Sequence, residues 1–275
     1  MPPKNRVARQ ATVVEVERIG PQMARLTFEC PDLVGAALPH TDHYVKILFP
    51  PAGADYSWPF DPDQIRATNP EQAPVTRTYS IRSYDPTTGR AKIDFVVHGD
   101  TGLAGPWAAK AQPGDQVGFF GPGGAWHPTE DYEHFVLAGD EAAAPAIAAA
   151  IDRLPAGTTA TAYVEIADAD STFEIPQPNG VELVWVTRDG ASYGSELART
   201  VRTAGVPAKR TGWFVHGVAE MVKDLRRFLF VEQGVSRGDV SISGYWRTGM
   251  NEDRWQSTKH EFVESMESEE AAALS

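Results

Sequence analysis

The chain has 275 residues, a length that suggests two domains, and its 42% hydrophobic and 23% charged residues suit a globular protein with a sizeable core. Its formal net charge of -12 argues against nucleic acid as a partner, and no stretch approaches the roughly 20 apolar residues of a membrane span. A single cysteine, Cys30, excludes an internal disulfide, a thiolate zinc site and an iron–sulfur cluster held by four cysteines. Residues 1–10 are basic but lack the apolar core of a signal peptide, so the expected location is the cytoplasm.

The first half reads as strands over residues 12–17, 24–28, 43–49, 75–81, 93–97 and 116–120, with turn signals at 85–89 and 112–115. With one short helix near 103–111, they predict a closed antiparallel barrel. Residues 51–74 carry Pro59, Pro62, Pro70 and Pro74, show little periodicity and read as a long loop. Gly121-Pro122-Gly123-Gly124 ends this half.

The pattern then changes. Strands at 134–138, 161–166, 181–186, 212–216 and 240–244 are interspersed with helices at 142–153, 192–203 and 219–232. Such alternation predicts a parallel sheet with helices on its faces, whose ligands bind beyond the carboxyl ends of the strands. A last helix is expected at about 253–266. The expected organisation is a β-barrel domain over residues 1–128 and an α/β domain over residues 129–275.

Two segments carry the sharpest chemistry. Arg77-Thr78-Tyr79-Ser80 offers a cation for a pyrophosphate, an aromatic face for an isoalloxazine ring and a small hydroxyl near its N5. On a strand, residues 77 and 79 point to one face and residue 80 to the other. The second segment runs from a strand through Val97, His98, Gly99, Asp100, Gly102, Leu103 and Ala104 to Gly105 and Trp107. Its glycines allow close backbone approach, and the helix that follows offers free N–H groups to a phosphate. Each segment alone also fits an ordinary strand or a tight turn.

In this order the two segments resemble the siderophore-interacting proteins of the ferredoxin-reductase superfamily. The likeness extends through 42–50, Pro113-Gly114-Asp115, Leu137-Ala138-Gly139-Asp140-Glu141 with Ala144-Pro145-Ala146-Ile147, and Gly244-Tyr245-Trp246-Arg247, then Trp255 and Lys259. It implies an N-terminal Greek-key β-barrel that binds FAD and a C-terminal ferredoxin-reductase-like α/β domain that binds NAD(P)H. Electrons would pass from the nicotinamide through the flavin to Fe(III) held by a siderophore, with no catalytic residue beyond the flavin and no resident metal.

The same resemblance assigns Arg77, Thr78, Tyr79, Ser80, Val97, His98, Gly99, Asp100, Gly102, Leu103, Ala104 and Trp107 to FAD. The serine usual in the pyrophosphate turn is missing from Gly102-Leu103-Ala104-Gly105. Gly139, Asp140, Glu141 and Gly217 are expected at the nicotinamide site, although Gly217-Val218-Ala219-Glu220 departs from the usual Gly-Glu-Ala. Glu165, at a strand end, is a candidate for the adenosine ribose, beside the reading as a surface glutamate. Lys46 and Arg247 are expected to meet an anionic ferric siderophore, with Lys259 and His127 as further cations. The rival readings are a flavin reductase exchanging electrons with a protein such as ferredoxin, and a ferric-siderophore-binding protein without turnover.

Overall fold

A computed structural model describes residues 7–97 and 102–274. The chain divides into two units, Met1–Ala125 and Trp126–Ser275. The boundary falls after Ala125 because Trp126 packs on Phe135 and Phe214 of the second unit, at ring-centroid distances of 6.4 and 4.8 Å.

The first unit is a closed barrel of β1 (Arg9–Gly20), β2 (Met23–Glu29), β3 (Tyr44–Phe49), β4 (Val75–Asp85), β5 (Arg90–Val96) and β6 (Gln116–Gly123), in the order β1-β2-β5-β4-β3-β6. Strands β3, β4 and β5 follow one another antiparallel, and β6 returns to lie beside β3, which is a Greek key. Side-chain alternation fixes the register: Val45, Ile47 and Phe49 enter the core while Tyr44 and Lys46 stay partly or wholly exposed. The interior is filled by residues such as Leu26, Phe28, Ile47, Phe95 and Phe119, leaving a cavity of only about 10 Å³. A cofactor therefore has to lie on the barrel rather than in it. Cys30 lines that cavity, and burial, then the charges of Asp32 and Glu29, push its thiol up to about 12, so it is an inert core residue.

Helix α1 (Pro62–Thr68) and a 3₁₀ turn, Pro70–Gln72, interrupt the segment expected to be a long loop. The Asp61 carboxylate caps α1 by accepting from the N–H groups of Asp63 and Gln64. Trp58 anchors the segment: a Cβ on Gly118 would stand 2.1 Å from its ring, and its Nε1 donates to Gln10 Oε1 at 3.1 Å. Helix α2 (Ala104–Lys110) covers the barrel core with Ala104, Ala108 and Trp107.

The second unit is a parallel sheet in the order β11-β10-β7-β8-β9, built from β7 (His134–Gly139), β8 (Thr159–Ile166), β9 (Val181–Thr187), β10 (Thr211–Val218) and β11 (Val240–Trp246). Every residue of β10 is buried, as the centre of a sheet covered on both faces requires. The helices are α3 (Ala144–Ile151), α4 (Ser195–Ala204), α5 (Ala219–Arg226) and α6 (Glu252–Leu274); α5 continues as π-helical turns over Arg227–Glu232. Helix α6 runs eight residues beyond the expected end at 266. Glu270 holds it by accepting from Arg226 at 2.6 Å and from Arg237, and Trp255 is buried against Gly244. Among the described residues no helix is long and apolar enough to cross a membrane.

Candidate functional site

Strand β4 sets Arg77, Thr78, Tyr79 and Ser80 opposite Ile47, Lys46, Val45 and Tyr44 of β3. Cross-strand partners share a face, so Tyr79 leans toward the core, where its half-buried ring meets Phe95 at 4.3 Å. Thr78 and the buried Ser80 lie on the other face, in line with Lys46 and Tyr44. Arg77 donates from Nη1 to the Thr76 carbonyl at 2.7 Å.

Strand β5 ends beside this group, and the chain re-enters the described residues at Gly102, whose φ of +90° suits glycine, before starting α2. Among the described residues no side chain caps α2, so its first N–H groups keep their capacity to donate. A Cβ on Gly105 would come within 3.2 Å of the Val96 carbonyl, so the turn passes tightly against the strand. These residues fit a flavin dinucleotide: a guanidinium and uncapped N–H groups for the phosphates, an aromatic ring and a small hydroxyl for the isoalloxazine. Val97 is tied by its N–H to the Gln22 carbonyl at 2.7 Å. Trp107 packs on Phe28, Phe49 and Phe95 and stays partly exposed. The expected contacts at His98, Gly99 and Asp100 lie outside the described residues.

In the second unit the sheet order reverses between β7 and β10, and the residues expected at the nicotinamide site gather at their carboxyl ends. They do so as an internal network. Asp140 is 1% exposed and its carboxylate accepts four hydrogen bonds, from the N–H groups of Ala142 (3.0 Å), Ala143 (3.3 Å) and Val218 (2.8 Å) and from Trp246 Nε1 (2.8 Å). It therefore ties the ends of β7, β10 and β11 together and is not available to a nicotinamide. Burial, then the Glu141 charge, push its carboxyl up to about 7, against the pull of the Trp246 and Val218 donors.

The glycines here make room for the network. A Cβ on Gly139 would meet Ala143 Cβ and the His216 carbonyl at 2.6 Å, and Gly217, at φ +142°, has the Asp140 carboxylate 2.8 Å from where its Cβ would be.

Glu165 corrects both of its expected readings. It is 0% exposed, so it is neither a surface glutamate nor placed to bind a ribose. Its carboxylate accepts from the Gly194 N–H at 2.9 and 3.1 Å, from the Leu197 N–H and from Arg188 Nη1 at 3.2 Å. It thus fills the N-terminus of α4. Arg188, one residue past β9, also makes a two-pronged pair with Glu141, at 3.0 and 2.8 Å. Burial opposes the guanidinium's charge, but hydrogen bonds and charges of both glutamates outweigh it and raise its pKa. The Tyr193 ring lies 4.3 Å over Arg188 and meets the Trp246 ring edge-on at 4.9 Å. Neither Arg188 nor Tyr193 was singled out by the sequence, because an arginine and a tyrosine in a Gly-containing turn look like ordinary surface residues.

The expected substrate cations differ in their engagement. Lys46, half-buried on β3, has no ion pair among the described residues. Arg247 lies 3.3 Å from Glu220 and 4.7 Å over the Phe262 ring, and Lys259 donates to Ser243 Oγ at 2.9 Å. His127 is exposed.

Comparison with known proteins agrees with this architecture. Residues 12–126 match the siderophore-interacting FAD-binding domain and residues 132–249 the siderophore-interacting protein domain. A siderophore utilization protein from T. fusca has a crystal structure similar at TM-score 0.78, with 37% identity over 89% of this chain and 94% of that one. The ferric vibriobactin reductase ViuB of Vibrio cholerae is 30% identical over 261 residues, 90% of this chain and 96% of the relative. An NADPH-dependent ferric-chelate reductase of Escherichia coli is 27% identical, covering 86% of this chain and 92% of that protein. With both domain matches in chain order, one on the barrel and one on the parallel sheet, the chain belongs to the siderophore-interacting protein family, and its barrel is an FAD-binding domain.

Proposed function

We propose that this chain is an NAD(P)H-dependent ferric-siderophore reductase. The observation that carries the reading is the register of β3 on β4, which aligns Lys46 with Thr78 inside the Arg77-Thr78-Tyr79-Ser80 strand. A cation without an ion pair among the described residues thus shares a face with Thr78 and with Ser80, whose hydroxyl fits the isoalloxazine, and an anionic iron complex has to come there for electron transfer. When bound, FAD would supply the redox chemistry that couples a two-electron hydride donor to two one-electron Fe(III) acceptors.

The protein's own residues position and attract. Arg77 and the N–H groups of α2 hold phosphates, Tyr79 supports the ring system and Ser80 offers a hydroxyl. Lys46 draws the anionic substrate in. Fe(II) binds hard oxygen donors more weakly than Fe(III), so reduction releases the metal. The reading places the reaction in the cytoplasm, where reduced nicotinamides are supplied. The names of the V. cholerae and E. coli relatives support a reductase over a passive binder.

The test is anaerobic. NADH or NADPH is expected to bleach the yellow protein, and a ferric siderophore to restore its colour while a ferrous chelator reports Fe(II). Bleaching without recolouring would exclude siderophore-bound iron as the acceptor.

A further inference from the structure

The crevice of the second unit holds positive charge close at hand but spends it internally. Arg188 is a cation at the carboxyl ends of β7, β8 and β9, and its guanidinium is committed to Glu141 and Glu165, both buried. The other feature that attracts anions there, the N-terminus of α4, is filled by the Glu165 carboxylate through the Gly194 and Leu197 N–H groups. Above the guanidinium lies the Tyr193 ring, 41% exposed, so an incoming nucleotide meets an aromatic face and not a cation.

We propose that Glu141 and Glu165 set the donor preference of this chain. By neutralising Arg188 and filling the start of α4, they leave neither of these to meet the 2′-phosphate of NADPH, so NADH is favoured. The inference rests on the reading above, in which a nicotinamide donor binds the second unit.

The physical basis is a charge count. Two glutamates against one arginine leave the cluster with a surplus negative charge, and Asp140 adds to it whenever it ionises. A 2′-phosphate carries up to two further negative charges into the same low-dielectric surroundings, where an arginine is the usual means of accepting it. A ribose bearing only hydroxyls brings no charge and is indifferent to the cluster. Glu141 is the adjustable member: it lies at the edge, 8% exposed, and pairs with Arg188 alone of the two glutamates' partners, whereas Glu165 also caps α4.

The experiment uses the whole FAD-loaded protein with two readouts. Stopped-flow reduction compares NADH with NADPH at subsaturating concentrations, and titration calorimetry compares 5′-AMP with 2′,5′-ADP, which probes the adenosine end without any redox step. The parent is expected to favour NADH by about tenfold or more and to bind 5′-AMP more tightly than 2′,5′-ADP. Glu141→Gln keeps the side-chain shape and releases Arg188 from one carboxylate. It is expected to raise the NADPH-to-NADH ratio by about tenfold and to tighten 2′,5′-ADP while leaving 5′-AMP unchanged. Glu141→Ser serves as the second variant should glutamine retain the pairing geometry.

A parent that prefers NADPH, or treats the two donors alike, would overturn the inference. So would unaltered ratios in both folded variants. If neither donor reduces the flavin, the nicotinamide reading fails. The calorimetry still decides the inference in that case: discrimination against 2′,5′-ADP that is relieved in the variants upholds it, and equal or undetectable binding overturns it.

Discussion

Replacing Asp140 by Asn should destabilise the second unit by an amount that shrinks as the pH rises. The carboxylate serves two donors on distant strands through one oxygen, Val218 N–H and Trp246 Nε1, and two N–H groups of its own turn through the other. Asparagine keeps one acceptor oxygen and places an NH₂ where the other stood, so one set of donors loses its partner. A buried donor left without an acceptor costs about 1–3 kcal/mol. The pH dependence follows from the carboxyl's being pushed up to about 7 in the folded chain, by burial and then by Glu141, from 3.8. A raised folded value means that the folded state binds the proton more tightly. The associated stability is complete below about pH 4 and is lost as the pH rises through about 7. Between about pH 5 and pH 8 the parent should lose on the order of 2–3 kcal/mol through this group alone, a loss asparagine does not share. His216 works in the opposite direction: burial, then Lys259, depress it to about 3, so its neutral form supports the fold above its ordinary range and charging it costs stability as the pH falls. His216 is present in parent and variant alike and cancels in their difference. Urea unfolding at the two pH values, followed by tryptophan fluorescence, measures that difference, since Trp126, Trp185, Trp213, Trp246 and Trp255 all lie in the second unit. A deficit for Asp140→Asn that is the same at both values, or larger at pH 8, would refute the reasoning.

The purified protein should be yellow and release FAD, and Arg77→Ala should weaken FAD retention by roughly ten- to a hundredfold, the usual worth of a hydrogen bond to a charged group, without altering the circular dichroism of the barrel. Lys46→Ala should slow reduction of an anionic ferric siderophore and spare bleaching by the nicotinamide, with the difference fading at high salt and for uncharged complexes; a salt-independent difference would remove the electrostatic role. Gly118→Ala should displace the Trp58 ring, since the added Cβ has no room, and hasten proteolysis within residues 51–61 while the barrel stays folded.

The architecture was legible because each unit obeys one strong rule. Side-chain alternation on strands such as β3 and the turn signals between them mark a barrel, and strands alternating with helices mark a parallel sheet. The segment 51–74 misled because its prolines open the short helices rather than break them: Pro62 and Pro70 each occupy a first helical position, where no N–H is needed. Nothing local in the acidic run 264–270 marks a buried residue, yet Glu270 is 4% exposed, because two arginines distant in sequence, Arg226 and Arg237, converge on it. Glu165 was misread for the same reason. A glutamate ending a strand carries no local sign that Arg188, 23 positions on, and the amide of Gly194, 29 positions on, will close around it.

Charge is partitioned differently in the two units, and the partition bears on which ligands each can take. With a net charge of -12, the protein's overall field repels every anion in the proposed reaction, so binding depends on local cations that are not already spent. In the second unit Arg188 is neutralised by Glu141 and Glu165, Arg202 by Asp224 and Glu232, and Arg226 by Glu270. These pairs hold strands and helices together and leave little to offer a phosphate. In the first unit Arg25 is likewise consumed by Asp94, at 2.7 and 2.8 Å, whereas Lys46, on the outer face of β3 opposite Thr78, has no ion pair among the described residues. The contrast follows from the neighbours each cation has across its strand. Arg25 stands directly opposite Asp94 on β5, whereas Lys46 stands opposite Thr78 on β4 and Phe120 on β6, neither of which can quench it. Putting an acid at position 78 should therefore spend Lys46 as Asp94 spends Arg25. Thr78→Glu is expected to depress reduction of an anionic ferric siderophore at least as far as Lys46→Ala does, and adding Lys46→Ala to it should cause little further loss. If the two substitutions instead act additively on the rate, Lys46 does not work through its charge at this place on the barrel.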